Sequence, residues 1–208
     1  MITSAQMKAL ERLALARGIL PIELMEQAGK GLVKEVKNRY HIDRMRIVVF
    51  CGPGNNGGDG FVAARYFAYD NPVVVLFFGD IQKLSEESRS NYERIKDKVT
   101  IVPIGNKEDL SVFYFQEGHQ LLLIDALLGT GIKGELREPI ASAINYFNSL
   151  YGLKIAVDIP SGMNPDTGEV EQKACVADLI VTFHDMKTGL AAMQEKTVVV
   201  DIGIPEKK

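Results

Sequence analysis

The sequence contains no tryptophan, and its 208 residues include only two cysteines and three histidines. Two isolated thiols, Cys51 and Cys175, are too few for a disulfide framework and lack the paired spacing of a zinc site. Because Cys51 ends a run of β-branched residues, we predict that it is a small core side chain. The wide sequence separation of His41, His119 and His184 argues against a histidine metal centre or a catalytic triad.

The chain also lacks a surplus of positive charge and any long apolar run. Its 24 lysines and arginines are scattered and are outnumbered by 27 acidic residues, which argues against nucleic-acid binding. Its longest apolar runs have the length of a strand, well short of the roughly 20 residues that span a bilayer. Residues 1–6 have none of the features of a signal peptide. We therefore predict a cytoplasmic protein without a membrane partner.

What the sequence does contain is a regular alternation of strand-like and helical patterns. Near-continuous runs of Val, Ile and Leu occupy 46–50, 73–78, 99–102, 121–125, 154–158, 179–182 and 197–200. Helical patterns lie between them at 61–69, 86–96, 109–117 and 139–150. Two further helices are predicted at the start of the chain, the first capped by Ser4 and the second with Pro21 in its first turn. This pattern predicts an α/β fold, a three-layer α/β/α sandwich with a mostly parallel central sheet, and its length suits one domain over 1–208.

The first strand-like run leads directly into a glycine-rich segment, CGPGNNGGDG, at residues 51–60. Five of its last nine residues are glycine, which permits tight turns and close approach of a ligand to main-chain amides. Asp59 is placed to cap the helical pattern that follows. A glycine-rich turn at a helix N-terminus predicts an anion site, and the extra asparagines and aspartate suggest chemistry as well as binding.

Two more polar loops follow predicted strands. One begins at Asp125 and runs to Glu135, and the other contains Asp158 and Ser161. Since ligands of open α/β sheets bind beyond the carboxyl ends of the strands, we expect the polar residues of all three loops to meet in one crevice. These residues are Asn55, Asn56, Asp59, Asp125, Lys133, Asp158 and Ser161. The alternatives are that Asp125 and Asp158 only cap their loops and that Lys133 is solvated.

The motifs GPGNNGGDG, DALLGTGIKGE and AVDIPSG, at 52–60, 125–135 and 156–162, together resemble the NAD(P)HX epimerase family, the YjeF N-terminal domain. The resemblance extends to LMEQAG at 24–29, TFH at 182–184 and VDIGIP at 200–205. It implies a Rossmann-like fold, a homodimer and an isomerase, an NAD(P)H-hydrate epimerase. This activity interconverts the R and S epimers of NADHX and NADPHX in nicotinamide nucleotide repair. A separate or fused ADP- or ATP-dependent dehydratase would be its pathway partner.

The resemblance also implies roles for single residues. Substrate contacts are expected from Asn55, Asn56, Gly57, Gly58, Asp59 and Asp158, and along the phosphate side from Gly129, Thr130, Gly131, Ile132, Lys133, Gly134 and Glu135. A potassium ion (K+) would be held by Asn56, Asp125 and Ser161. Amide, carboxylate and hydroxyl oxygens are hard donors, suited to an alkali or alkaline-earth ion and poor for zinc.

Inversion at C6 of the substrate requires loss of hydroxide, assisted by the ring nitrogen, and addition of water to the opposite face. A carboxylate that exchanges protons with the departing and arriving water would accelerate both steps. We assign this catalytic role to Asp158, with Lys133 as an electrostatic or acid partner. In one respect the chain departs from the family, since relatives commonly carry a proline where this chain has residues 185–189, DMKTG.

Two other functions fit parts of the sequence. Gly52, Gly54 and Gly57 match the Gly-x-Gly-x-x-Gly dinucleotide fingerprint, and Asp80 follows at a suitable distance, as in an NAD-dependent dehydrogenase. Polar residues where that motif packs against the sheet argue against this. The third possibility is a non-catalytic nucleotide-binding or scaffold module, against which the intact set of Asn56, Asp125 and Ser161 argues.

Overall fold

A computed structural model describes residues 1–111, 113, 115, 120–131 and 135–205. The strands are β1 Arg46–Cys51, β2 Val73–Phe77, β3 Thr100–Pro103, β4 Leu121–Ala126, β5 Leu153–Val157, β6 Leu179–Phe183 and β7 Thr197–Val200. The α-helices are α1 Ser4–Ala16, α2 Pro21–Arg39, α3 Asn55–Phe67, α4 Glu86–Ile95, α5 Lys107–Ser111 and α6 Ile140–Ser149. Two 3-10 helices lie at Ile81–Lys83 and Thr188–Lys196.

The seven strands form one parallel sheet in the order β3-β2-β1-β4-β5-β6-β7. The chain moves outward from β1 to β3 and then returns to place β4 on the other side of β1. The carboxyl ends of β1 and β4 therefore flank the point where the strand order reverses. Open α/β sheets bind their ligands at such a point.

Helices cover both faces of the sheet. Because alternate residues of each strand point to opposite faces, each strand contributes apolar side chains to the core on both sides. In β1, Ile47 and Val49 pack into the core beneath helices α1 to α4, whereas Val48 and Phe50 pack on the other side with α6. On that second side, Phe50 meets the ring of Phe147 edge-on, with 5.2 Å between ring centroids. The predicted three-layer α/β/α architecture with a parallel sheet is confirmed.

The first two helices begin close to where the sequence predicts. Thr3, and not Ser4, caps α1: its side chain accepts a hydrogen bond from the amide of Gln6, whose side chain accepts one from Thr3 in return. Ser4 instead donates from its amide and hydroxyl to Asp166, which fastens α1 to the loop after β5. Pro21 lies in the first turn of α2, as predicted.

The helix after β1 begins earlier than predicted, so the assignment of Asp59 as its cap is wrong. The helix starts at Asn55 with Gly54 as its N-cap, and most of the glycine-rich segment is therefore helical. Tertiary contacts explain this start. A Cβ on Gly57 would collide with the backbone carbonyl of Gly52, and one on Gly60 would crowd Ala126 and Cys51. The glycines let α3 pack directly against the ends of β1 and β4.

The helix predicted over 109–117 is present only as α5 in the described part of the chain, and residues 112, 114 and 116–119 lie outside it. Among the described helices, none combines the length and the apolar character required to cross a membrane.

Candidate active site

A cavity of about 590 Å³ opens at the carboxyl ends of the central strands. The first turn of α3, the loop after β4 and Asp158 after β5 form one side of it, and helices α1 and α2 form the other. Its polar and charged lining residues are Lys8, Glu11, Asn55, Asn56, Asp59, Glu87, Thr130 and Asp158. The three loops that the sequence singles out therefore do meet in one place.

Asn55 and Asn56 occupy the first turn of α3 and both line the cavity. Asn55 accepts a hydrogen bond of 2.8 Å from the Ser85 hydroxyl through its Oδ1. Asn56 is buried and donates from Nδ2 to the Leu128 carbonyl at 3.0 Å. Asn56 thereby ties the start of α3 to the loop after β4.

Asp125 and Ser161 lie immediately behind this point, both with no exposed surface. The Ser161 hydroxyl and amide donate to the two oxygens of the Asp125 carboxyl at 2.5 and 2.8 Å. Ser161 Oγ also accepts from the Leu128 amide at 2.9 Å and lies 3.1 Å from the Leu128 carbonyl, which Asn56 contacts as well. The three residues predicted to hold potassium are therefore brought together around the backbone of Leu128.

The environment of Asp125 fits a bound cation. Burial raises the pKa of its carboxyl, although hydrogen bonds from Ser161 and Leu127 oppose this change. In the described residues its hydrogen-bonding partners are uncharged, being Ser161, Leu127 and the thiol of Cys175. A buried carboxylate without a cationic partner is costly, and a hard cation among oxygen donors would offset that cost.

Asp158 directly follows β5 and is held in the left-handed region, with φ of 65°. Its Oδ1 accepts from the Lys187 ammonium at 2.5 Å, the Thr182 hydroxyl at 3.1 Å and the Phe183 amide at 3.3 Å. Lys187 is fully buried and also donates to the Phe183 carbonyl at 2.8 Å. Asp158 thus enters the cavity from a fixed backbone, as one member of a buried ion pair.

Three further carboxyl groups line the same cavity, those of Asp59, Glu11 and Glu87. Burial raises the pKa of Asp59 well above its ordinary value, and the nearby charges of Asp158 and Glu11 add to this while Lys187 opposes it. Glu11 of α1 remains accessible to solvent, and its partial desolvation, followed by the charge of Asp158, raises the pKa of its carboxyl as well. Asp59 therefore tends to keep its proton where an exposed aspartate would have lost it.

Only some of the remaining predicted substrate residues line the cavity. Gly129, Thr130 and Gly131 line the cavity, whereas residues 132–134, which include Lys133, lie outside the described part of the chain. Glu135 lines a neighbouring cavity of about 380 Å³, which shares Lys8 and Thr130 with the first. Gly57 and Gly58 are buried, and their positions permit close packing of α3 against Gly52, Met25 and Ser88.

Sequence reasoning missed two parts of the site. Lys187 lies in the loop after the predicted strand at 179–182, a position like those of the predicted site residues, but nothing in the local sequence links it to Asp158. Lys8 and Glu11 lie on the exposed side of a helix that the motifs do not include, and only the folding of α1 over the sheet brings them to the cavity. Asp80, part of the dehydrogenase fingerprint, instead caps a 3-10 turn by accepting from the Gln82 amide at 2.9 Å.

The sequence model of the family described as YjeF-related protein N-terminus matches residues 21–189. The chain belongs to this family. The match begins at α2, so α1, with its contribution to the cavity, lies outside it.

The chain is similar along its sequence to several named members of the family. A protein of Nitrosopumilus maritimus named NAD(P)H-hydrate epimerase is 40% identical over 210 residues, which cover 98% of this chain and 95% of that protein. A protein of Methanothermobacter thermautotrophicus named bifunctional NAD(P)H-hydrate repair enzyme Nnr is 41% identical over 90% of this chain. The chain spans only 37% of that relative and 42% of a second bifunctional relative, from Archaeoglobus fulgidus.

The fold also matches a solved structure. The crystal structure of yeast ynu0 aligns with a TM-score of 0.80 at 22% identity, covering 96% of this chain and 86% of that one. At this identity the likeness shows the fold alone.

Proposed function

We propose that this protein is an NAD(P)H-hydrate epimerase, which interconverts the R and S epimers of NADHX and NADPHX. The relative of that name that matches nearly end to end supports the activity. The observation that carries the proposal is the Asp158 carboxyl, which enters the cavity from the end of β5 and has its Oδ1 occupied by Lys187.

The proposed chemistry requires proton transfer on both faces of the nicotinamide ring. As the C6–O bond breaks, the lone pair of the ring nitrogen forms a C6–N double bond and the departing hydroxyl takes up a proton to leave as water. A second water then adds to the opposite face and gives up a proton. Asp158 is the proposed base for the arriving water. Asp59, with its raised pKa, is a proton donor in the same cavity, and Lys133 is retained as an acid or electrostatic partner.

The residues that surround the cavity have separate tasks in this account. The start of α3 and the loop after β4, with Asn55, Asn56 and Gly129 to Gly131, would bind the substrate. Leu24, Met25 and Ala28 of α2 close the opposite wall with apolar side chains, which limits the access of bulk water to the ring.

Potassium is the proposed ion of the cluster formed by Asn56, Asp125 and Ser161. When bound, it would supply a positive charge that neutralises Asp125 and fixes the loops after β1, β4 and β5 relative to one another. The all-oxygen donor set supports this assignment, as does the burial of Asp125 without a cationic partner among the described residues.

The S epimer produced here would pass to an ADP- or ATP-dependent dehydratase. The bifunctional relatives support such a partner, separate or fused. A homodimer and a cytoplasmic location are further proposals, for which the family resemblance and the two free, buried cysteines are the support.

The test is the rate of conversion of (R)-NADHX to (S)-NADHX, followed by chromatography with and without the purified protein. We expect acceleration above the spontaneous rate, and a smaller acceleration when potassium is replaced by tetramethylammonium. If the protein binds NADP+ yet leaves the spontaneous rate unchanged, the non-catalytic binding module replaces the epimerase as the function.

A further inference from the structure

Lys187 is the one lysine in the described part of the chain that has no exposed surface. Lysines are almost never fully buried unless they are paired. Its ammonium lies 2.5 Å from Asp158 Oδ1 and 2.8 Å from the Phe183 carbonyl. These contacts fix the ammonium between the end of β5 and the end of β6.

The backbone on either side of Lys187 is fixed as well. Ile2 pairs with this segment as an extra bridge: its amide donates to the Met186 carbonyl at 2.8 Å, and its carbonyl accepts from the Thr188 amide at 3.1 Å. The segment that carries Lys187 therefore cannot shift without breaking contacts to the start of the chain. A side chain anchored in this way holds its partner in a defined position.

The hydrogen bonds to Asp158 are distributed asymmetrically. Lys187, Thr182 and the Phe183 amide all donate to Oδ1. Among the described residues, no hydrogen bond reaches Oδ2, although Asp158 lines the cavity. One carboxylate oxygen is thus fully used by the protein, and the other is available to a ligand.

The ion pair of Lys187 and Asp158 is not explained by a contribution to the stability of the fold. Desolvation of two charges commonly cancels their attraction, and buried ion pairs are often replaced by apolar residues without loss of stability. The other carboxyls of the cavity, Asp59, Glu11 and Glu87, have no such partner in the described residues. The ammonium therefore selects one of the four carboxyl groups that line the cavity.

We propose that Lys187 is a positioning residue for the reaction, which holds Asp158 by Oδ1 and so presents Oδ2 to the water at C6 of the substrate. This inference rests on the proposed function. It assigns Lys187 no contact with the substrate, so its whole effect passes through Asp158.

The test is a double-mutant cycle with Lys187→Met, Asp158→Asn and the double variant, assayed for (R)-NADHX epimerisation in potassium buffer. Lys187→Met is expected to lower kcat about 100-fold, within the range for loss of a general acid–base group, and to change KM by less than about threefold. In the Asp158→Asn background, the same replacement is expected to leave kcat unchanged. Lys187→Arg, which keeps the charge, is expected to restore part of the activity.

A matched control is Lys154→Met. Lys154 is partly buried at the amino end of β5, the opposite end of the strand from Asp158, and its ammonium donates to the Asn148 carbonyl at 2.9 Å. It is expected to retain the kcat of the unsubstituted protein. A loss of activity in this control equal to that of Lys187→Met would show a general effect of losing a buried lysine and would overturn the inference.

Two other results would overturn it. One is a folded Lys187→Met protein with unchanged kcat, and the other is a further fall in kcat when Lys187 is replaced in the Asp158→Asn background. If Lys187→Met alone does not fold, Lys187→Arg and the double variant, which buries no unpaired charge, decide by the same criteria. An inactive unsubstituted protein would refute the proposed function itself, whereas an active Lys187→Met protein refutes only the role of Lys187.

Discussion

Three carboxyl groups at the carboxyl end of the sheet differ in how the cost of their burial is compensated. Asp125 is surrounded by uncharged donors, Asp158 is paired with a buried ammonium, and Asp59 has neither form of compensation among the described residues. The protonation and the position of each group follow from these surroundings. The residues with the least compensation are those whose replacement should stabilise the fold.

Asp59→Asn is predicted to stabilise the protein at neutral pH. Burial raises the pKa of Asp59 in the folded state above its ordinary value of 3.8. Between these two pKa values the folded state binds more protons than the unfolded state, so the free energy of unfolding falls as pH rises through that window. A pKa that is higher by one in the folded state corresponds to about 1.4 kcal/mol of this loss, and each kcal/mol to about 2–4 °C of Tm for a chain of this size.

The measurement is Tm from pH 4 upward, by circular dichroism. The advantage of Asp59→Asn should grow with pH and then level off, while the exposed Asp43→Asn control follows the unsubstituted protein. An advantage that does not change with pH would show that burial of the charge is not its cause.

Asp125→Asn is predicted to abolish stabilisation by potassium. A ligand that binds only the folded state adds RT ln(1 + [L]/Kd), about 2.7 kcal/mol at a concentration of 100 Kd. The amide lacks the negative charge that makes a cation favourable at this buried position. We therefore expect Tm of the unsubstituted protein to rise when potassium replaces tetramethylammonium, and Tm of Asp125→Asn to be indifferent. Equal rises in both proteins would place the ion elsewhere.

At the scale of the element, the glycines at the start of α3 determine how the helix docks. Ordinary helix propensity favours alanine over glycine by about 0.5–1 kcal/mol. Gly57 has the opposite requirement, because a Cβ there would collide with the Gly52 carbonyl at the end of β1. The close approach of α3 to the strand end places Asn55 and Asn56 in the cavity.

Gly57→Ala is therefore predicted to destabilise the fold by about 3 kcal/mol, as overpacking against a rigid backbone does. Gly54→Ala is its control, since a Cβ there meets nothing within 4 Å and the loss of a glycine N-cap costs about 1 kcal/mol. Urea unfolding of both variants provides the comparison. A Gly57→Ala protein as stable as the unsubstituted one would contradict the packing described for α3.

The elements themselves can largely be predicted from the sequence. All seven strands are recognisable because parallel strands buried on both faces read as continuous Val, Ile and Leu runs. The start of α3 is not, because its adjacent asparagines and glycines disfavour a helix locally, and only contacts with β1, β4 and Met25 of α2 make it favourable. Helix propensity depends on residue type alone and does not include contacts between segments that are distant along the chain.

Only those residues of the candidate site that belong to the sequence motifs can be predicted. Asn56, Asp125, Asp158 and Ser161 each lie at or just after a strand end, and the topology of a parallel sheet brings such positions together. The pairing of Lys187 with Asp158 crosses 29 residues and depends on the path of the loop after β6. No periodicity or spacing encodes that path.

At the scale of the whole molecule, the cavity is assembled from segments that lie far apart along the chain. Met7, Lys8 and Glu11 of α1 line it, and Ile2 pairs with the segment of Lys187 that follows β6. Residues 2–11 thus link the two walls of the cavity, and Ser4 fastens the first turn of α1 to Asp166. The reaction proposed for this cavity depends on Asp158, which is held by Lys187 of the segment that pairs with Ile2.

The most direct test of this account is the epimerisation of (R)-NADHX by Asp158→Asn, with binding of NADP+ measured in parallel by calorimetry. Asp80→Asn, which changes an aspartate outside the cavity, is the control. We expect Asp158→Asn to bind NADP+ with unchanged affinity and to lose about 10²–10⁴-fold in kcat, while Asp80→Asn keeps both. An Asp158→Asn protein that epimerises at the unsubstituted rate would contradict the account.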